Sequence, residues 1–212
     1  MSFLYSSRPY SIASKQQAIK KLLQNTVPDR DFYLLIFGSV ALAICALFLD
    51  SSAILIASMI VAPLAYPILS LGLGCIVADF RLIRQSLIML LLALVLATLC
   101  SFLATVFFGH IRVNPVLLSF NSNLYLATIV AFIAGFIAAY GLIRSKVAST
   151  MTGIGIAVSL MPPLVATGIA LADIDFNRAT QTFALFFLNV VGIMLASMLV
   201  FYLFKFRQHY VK

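Results

Sequence analysis

The chain has no tryptophan and no glutamate, and only 9% of its 212 residues are charged. A soluble domain carries roughly 25% charged residues, so this chain lacks the polar side chains needed to cover a water-facing surface. Its three cysteines, Cys45, Cys75 and Cys100, stand apart inside apolar runs, without a Cys-x-x-Cys pair or a neighbouring histidine. That arrangement offers neither a disulfide framework nor a zinc site and reads as buried packing. There is no Gly-x-x-x-x-Gly-Lys loop for a nucleotide, no His-Glu-x-x-His, and no Ser-His or intramembrane aspartate pair suited to proteolysis. An enzyme is therefore not expected, and neither a cofactor nor a metal is called for. What the chain does contain is apolar surface: 63% of its residues are hydrophobic and the mean hydropathy is +1.12. These values point to an all-α protein embedded in a lipid bilayer.

A helix crossing the hydrocarbon core needs about 20 mainly apolar residues. Six stretches meet this requirement: Phe32–Leu49, Ser52–Ala78, Ser86–Phe108, Leu124–Ile143, Val147–Ala172 and Gln181–Phe204. Ahead of them, residues 1–31 form a short basic segment in which Ala18, Ile19, Leu22 and Leu23 recur at helical spacing behind Ser14 as a cap. That pattern predicts a retained amphipathic helix on the membrane surface; no small-residue cleavage site follows a short apolar core, as a signal peptide would require. The spans divide into residues 32–109 and 124–204, joined by an external connection over 110–123 and followed by a basic tail over 205–212.

The formal charge of +8 arises from 14 Lys and Arg against 6 acidic residues. With the N-terminus inside, five cations precede the first span, and Arg81, Arg84, Arg144, Lys146, Lys205, Arg207 and Lys212 share that side, leaving Arg112 and Arg178 opposite. This bias predicts a multi-pass protein of a cell inner membrane with both termini cytoplasmic. Cations split among four short segments do not make a nucleic-acid face.

The second and fifth spans resemble each other. Ile54-Leu55-Ile56-Ala57-Ser58-Met59-Ile60-Val61-Ala62-Pro63-Leu64 aligns without gaps on Ile154-Gly155-Ile156-Ala157-Val158-Ser159-Leu160-Met161-Pro162-Pro163-Leu164, and Asp79-Phe80 later meets Asp175-Phe176. Three spans per copy force the second copy to enter from the opposite side, giving two inverted three-helix repeats. Pro63, Pro67, Pro162 and Pro163 remove backbone donors and are expected to interrupt these two helices. Interrupted helices in matching positions point to a mid-membrane site. Its candidate lining is Ser58, Tyr66 and Ser70 with Thr152, Ser159 and Thr167, and Asn189 from the sixth span. Glycines and hydroxyls also serve plain helix packing, which is the competing use of the same residues. Asp79 with Arg81, and Asp175 with Arg178, are candidate gating or structural charges, and Asp50 is expected to cap the second span. No Asp, Lys, Arg or His lies well inside a span, which disfavours a proton relay.

Ser58 to Leu64 with Pro67-Ile68-Leu69-x-Leu71-Gly72-Leu73-Gly74, then Asp79 and Arg81, resembles the first motif of a bacterial and archaeal membrane family known as domain of unknown function 389. Ile156 to Leu164 with Gly168-Ile169 and the Leu188-Asn189 region resembles its second motif. The resemblance spans about Asp50 to Phe204, implies a polytopic membrane domain, and brings no substrate with it. From the residues, two expectations follow: a transporter or channel for a small polar solute or ion, associating as a homo-oligomer in the bilayer, or a non-transporting scaffold that acts through a partner protein. The topology has a direct check. In a background free of the native cysteines, a cysteine at position 145 stays unlabelled when an impermeant thiol reagent is added outside intact cells; labelling there overturns the assignment of sides.

Overall fold

The computed structural model describes residues 12–109, 124–143, 160–208 and 210. The described residues form eight α-helices and one short 3-10 turn. These are α1 (Ile12–Gln24), α2 (Arg30–Phe48), α3 (Ser52–Val61), α4 (Ala65–Val77), α5 (Phe80–Phe108), α6 (Leu124–Ile143), α7 (Met161–Ala172), α8 (Phe176–Leu203) and the turn Phe206–Gln208. Four of them, α2, α5, α6 and α8, are long and apolar enough to cross a membrane, and α3 with α4 makes a fifth if the bent pair is one span. The protein is thus an all-α, multi-pass membrane protein. Each long helix hides only 28–44% of its apolar window inside the protein. The rest, including Leu34, Phe107 and Tyr125 at 71%, 80% and 86% exposure, faces outward, where only hydrocarbon or headgroups can cover it.

Short polar side chains start the helices. Asp29 Oδ1 accepts from Phe32 N at 2.8 Å to cap α2, and Ser51 Oγ accepts from Ile54 N at 3.4 Å to cap α3. Two expectations change here. Asp50 is not the cap: it takes a left-handed conformation at φ 51°, which reverses the chain and leaves Ser51 to cap. Ser14 lies inside α1 rather than ahead of it. Two of the cysteines differ from the packing role expected of them: Cys45 and Cys75 are exposed on outward helix faces, while Cys100 is half-buried against the core.

Helix α1 carries most of the apolar stripe read from the sequence: Ala18, Ile19 and Leu22 are buried, whereas Leu23, expected in the stripe, is exposed beside Lys20 and Lys21. The stripe is covered by protein, since α1 packs on α4 and α6. Thr26, just beyond α1, fixes this contact through a 2.6 Å hydroxyl bond to Ser70 of α4.

The interior is built around α4 and α7. Almost every residue from Ala65 to Gly74 is buried, and so is every residue from Met161 to Ala170. A helix apolar on all sides belongs in a core. Between α3 and α4 the chain leaves helical geometry at Ala62 (φ −63°, ψ 124°), and the two helices meet at 50° around Pro63. Pro67 falls in the first turn of α4, and Pro162 and Pro163 in the first turn of α7, where a missing N–H breaks no helical hydrogen bond.

Helix α4 packs on α5 and α8, whereas α7 packs on α5, α8, α2 and α3. Glycines set the closest approaches. A Cβ on Gly168 of α7 would overlap Ser101 Oγ and the backbone carbonyl of Thr98 on α5. A Cβ on Gly72 of α4 would overlap Ser197 Oγ on α8 and lie 3.2 Å from the Met194 carbonyl. Small residues at a crossing allow close backbone approach, which in lipid supplies much of the drive for helix association. A hydroxyl can rotate away and a carbonyl cannot, so the two sites respond differently. Gly168→Ala should lower resistance to unfolding in mixed detergent micelles by about 1–3 kcal/mol. Gly72→Ala should cost less, and Gly38→Ala, with open space around its Cβ, should be neutral or gain up to about 1 kcal/mol. Equal losses at Gly168 and Gly38 would refute the crossing.

Candidate functional site

Two corners organise the ends of the central helices. Helix α4 closes with Ala78 left-handed at φ 55°, and Asp79 N then reaches back to Gly74 O at 3.0 Å. Helix α7 closes the same way: Ile174 is left-handed at φ 58° and Asp175 N bonds Ala170 O at 2.9 Å. This bond closes a helix C-terminus while the same aspartate opens the next helix. Asp79 Oδ1 accepts from Arg81 N at 2.9 Å and Leu82 N at 3.2 Å; Asp175 Oδ1 accepts from Arg178 N at 3.0 Å. Both candidate aspartates are therefore helix caps.

Their remaining oxygens differ. Arg178 Nη2 pairs with Asp175 Oδ2 at 3.0 Å, and its Nη1 lies 3.6 Å from Asp173 Oδ2, a partner that the sequence reading did not include. Asp79 Oδ2 instead accepts the Tyr210 hydroxyl at 2.7 Å. Burial, followed by the hydrogen bond and charge of Asp79, pushes the Tyr210 phenol up to about 12. Tyr210 therefore stays protonated and donating across the ordinary pH range. Tyrosine at a distance of 131 residues carries no local signal, so this tie was not legible in the sequence.

Nearer the centre, Ser58 is fully buried; its Oγ donates to Leu55 O at 2.7 Å, while Ser58 O accepts from Ser39 Oγ at 2.8 Å. Ser70 bonds Thr26, as above, and Leu22 O at 3.4 Å. Thr167 Oγ1 donates to Pro163 O at 2.7 Å, and a 2.8 Å bond links the Thr167 and Thr182 hydroxyls between α7 and α8. Tyr66 is half-buried against the core, Pro67, Pro162 and Pro163 are buried, and Asn189 is 2% exposed on the inner face of α8. Thr152 and Ser159 lie outside the described residues. Ser58, Ser70 and Thr167 thus each have a protein partner at hand, and Thr26, Ser39 and Thr182 are the polar neighbours the sequence reading missed.

The N-terminal ends of α4 and α7 lie deep in the protein. Leu64, Leu160 and Met161 have no exposure, and among the described residues neither helix has a side-chain hydrogen bond at its cap. A helix start carries partial positive charge on its first N–H groups. These two ends therefore bring backbone polarity into an otherwise apolar interior.

A common register runs through the two long helices beside them. Along α5, the buried Ser86, Met89, Leu90, Ala93, Ala97, Ser101 and Thr105 correspond, 96 positions later, to the buried Thr182, Leu185, Phe186, Asn189, Ile193, Ser197 and Phe201 of α8. The same shift carries Gly72 to Gly168 and Asp79 to Asp175. The glycine of each central helix meets the serine of the other half, so the crossings are exchanged.

A surface groove of about 580 Å³ lies elsewhere, between the end of α4 at Cys75 and Ile76 and the end of α8 from Phe201 to Gln208. None of the candidate residues lines it.

Comparison with known proteins agrees with the sequence motifs. An uncharacterized protein of Methanocaldococcus jannaschii is 28% identical over 191 residues, a stretch covering 88% of this chain and 59% of that protein. The chain thus spans somewhat under two-thirds of the length of this relative. No solved structure matches the chain. Residues 59–195, which contain Pro63, Pro67, Pro162 and Pro163, both aspartate corners and both crossing glycines, match the family described as Domain of unknown function (DUF389), and the chain belongs to that family.

Proposed function

We propose that this protein is a six-span transporter or channel for a small polar solute or ion, built as two inverted three-helix repeats in a cell inner membrane with both termini cytoplasmic. In this reading α3 and α4 are the two halves of the second span, and α7 is the outer half of the fifth. The shift of 96 positions shared by α5 and α8, by the aspartate corners and by the glycine crossings supports the duplication. An inverted pair places its interrupted helices at matching depth.

The observation that carries the functional reading is the pair of buried, proline-led helix starts at Leu64–Ala65 and Leu160–Met161, neither with a side-chain cap. In hydrocarbon, an unmet backbone group costs several kcal/mol, so irregular backbone at depth belongs where it is buried in protein or lines a path for a polar guest. A solute with hydrogen-bonding capacity meets backbone groups of Ala62 and Met161 there, with Ser58 and Thr167 close along the chain and Asn189 on α8. Thr152 and Ser159 would complete the lining in the second repeat.

One observation favours the scaffold reading instead: Ser58, Ser70 and Thr167 all bond within the protein. Liposomes containing the purified protein separate the two readings. Transport predicts flux above empty liposomes for at least one member of a panel of ions and small metabolites. Pro163→Ala should then lower the flux about tenfold, the effect of roughly 1.4 kcal/mol on a barrier, while protein incorporation stays constant. Absence of flux across the panel supports the scaffold, and flux untouched by Pro163→Ala and Thr167→Val refutes a path between the two helix starts.

A further inference from the structure

The groove between α4 and α8 has features that a transport path does not use. Its wall, from Cys75, Ile76, Tyr202 and Leu203, is apolar and outward-facing, with Tyr202 at 69% and Leu203 at 58% exposure. Its rim is polar and basic, formed by Lys205, Arg207 and Gln208, and both cations are exposed. The rim does not swing free. Lys205 takes a left-handed conformation at φ 54°, which folds the chain back after α8, and the following turn packs against α4. Phe206 is fully buried, its ring 4.9 Å from that of Phe201, and Tyr210 is tied to Asp79.

We propose that this groove binds one anionic phospholipid, with its phosphate at Lys205 and Arg207 and the start of an acyl chain along Cys75, Tyr202 and Leu203. Helices α4 and α8 both end here, at Val77 and Leu203, so the groove sits at the end of membrane-spanning segments, at headgroup depth. Basic pockets between helices at that depth attract anionic headgroups. A free phosphate would meet the cations but leave the apolar wall uncovered, and an acidic peptide would have to dehydrate its backbone against that wall. A lipid satisfies both surfaces at once. The proposal is independent of whether the protein transports anything.

Cys75 reports on the groove directly. A chain retaining only Cys75, with serine at positions 45 and 100, is reconstituted in vesicles of phosphatidylcholine alone or mixed with phosphatidylglycerol, and alkylation is timed. A chain retaining only Cys45, exposed near the end of α2, meets the same vesicle charge without the basic rim. Phosphatidylglycerol should slow labelling at Cys75 well beyond any slowing at Cys45. Lys205→Gln and Arg207→Gln should each weaken the dependence on phosphatidylglycerol about fivefold, and the double variant should lose it. Unchanged labelling of Cys45 in these variants confirms that they fold. Equal slowing at both cysteines, protection that survives in the double variant, or protection reproduced by inorganic phosphate in phosphatidylcholine vesicles each overturns the lipid site.

Discussion

The constraint on which this structure depends is that backbone polar groups in hydrocarbon must find partners inside the protein. Long helices meet it simply, and α2, α5, α6 and α8 enclose the molecule with their apolar faces turned outward. The short central helices α4 and α7 meet it by being surrounded. They can be surrounded only because Gly72 and Gly168 let α8 and α5 approach within the space of a side chain. The crossings are also exchanged, each central helix resting on the long helix of the other half, so neither half buries its central helix alone.

The hydroxyls follow from the same constraint. Ser101 Oγ bonds Ala97 O and Thr98 O, and Ser197 Oγ bonds Met194 O, so each serine facing a glycine returns its polarity to its own helix and presents a compact surface. Thr167 and Thr182, in contrast, share a bond between helices. At the position of Thr182 in the first half stands Ser86, fully buried and without a hydrogen-bond partner among the described residues. Helices α5 and α8 thus bury side chains in the same register and differ in how they distribute polarity.

Much of this plan was legible from the residues. Apolar run lengths identified the four long helices, and the periodicity of Ala18, Ile19 and Leu22 marked the buried face of α1. The Asp-Phe pairs carry the repeat and stand as candidate charges; that each aspartate caps the helix after it came with the structure, although a short carboxylate before an apolar run is a cap in any solvent. The glycine crossings also carried a signal that went unread: Gly72 to Ser101 and Gly168 to Ser197 have the same 29-residue spacing. What sequence spacing could not give was the choice between neighbours with similar propensities. Asp50 and Ser51 are both good caps, and the left-handed turn at Asp50 decided between them. The partners of Ser70, Thr167 and Asp79 come from distant elements, and nothing local encodes them.

The tie between Tyr210 and Asp79 bears on how the chain is assembled. Asp79 opens α5, the third of the long apolar segments to emerge during synthesis, yet one of its two oxygens is met by a residue beyond α8. The oxygen that Tyr210 meets is not the one that caps α5: Oδ1 takes the N–H groups of Arg81 and Leu82, and Oδ2 takes the phenol. The segment after α8 thus docks on the start of a helix made 131 residues earlier, which couples the placement of α8 to that of α5.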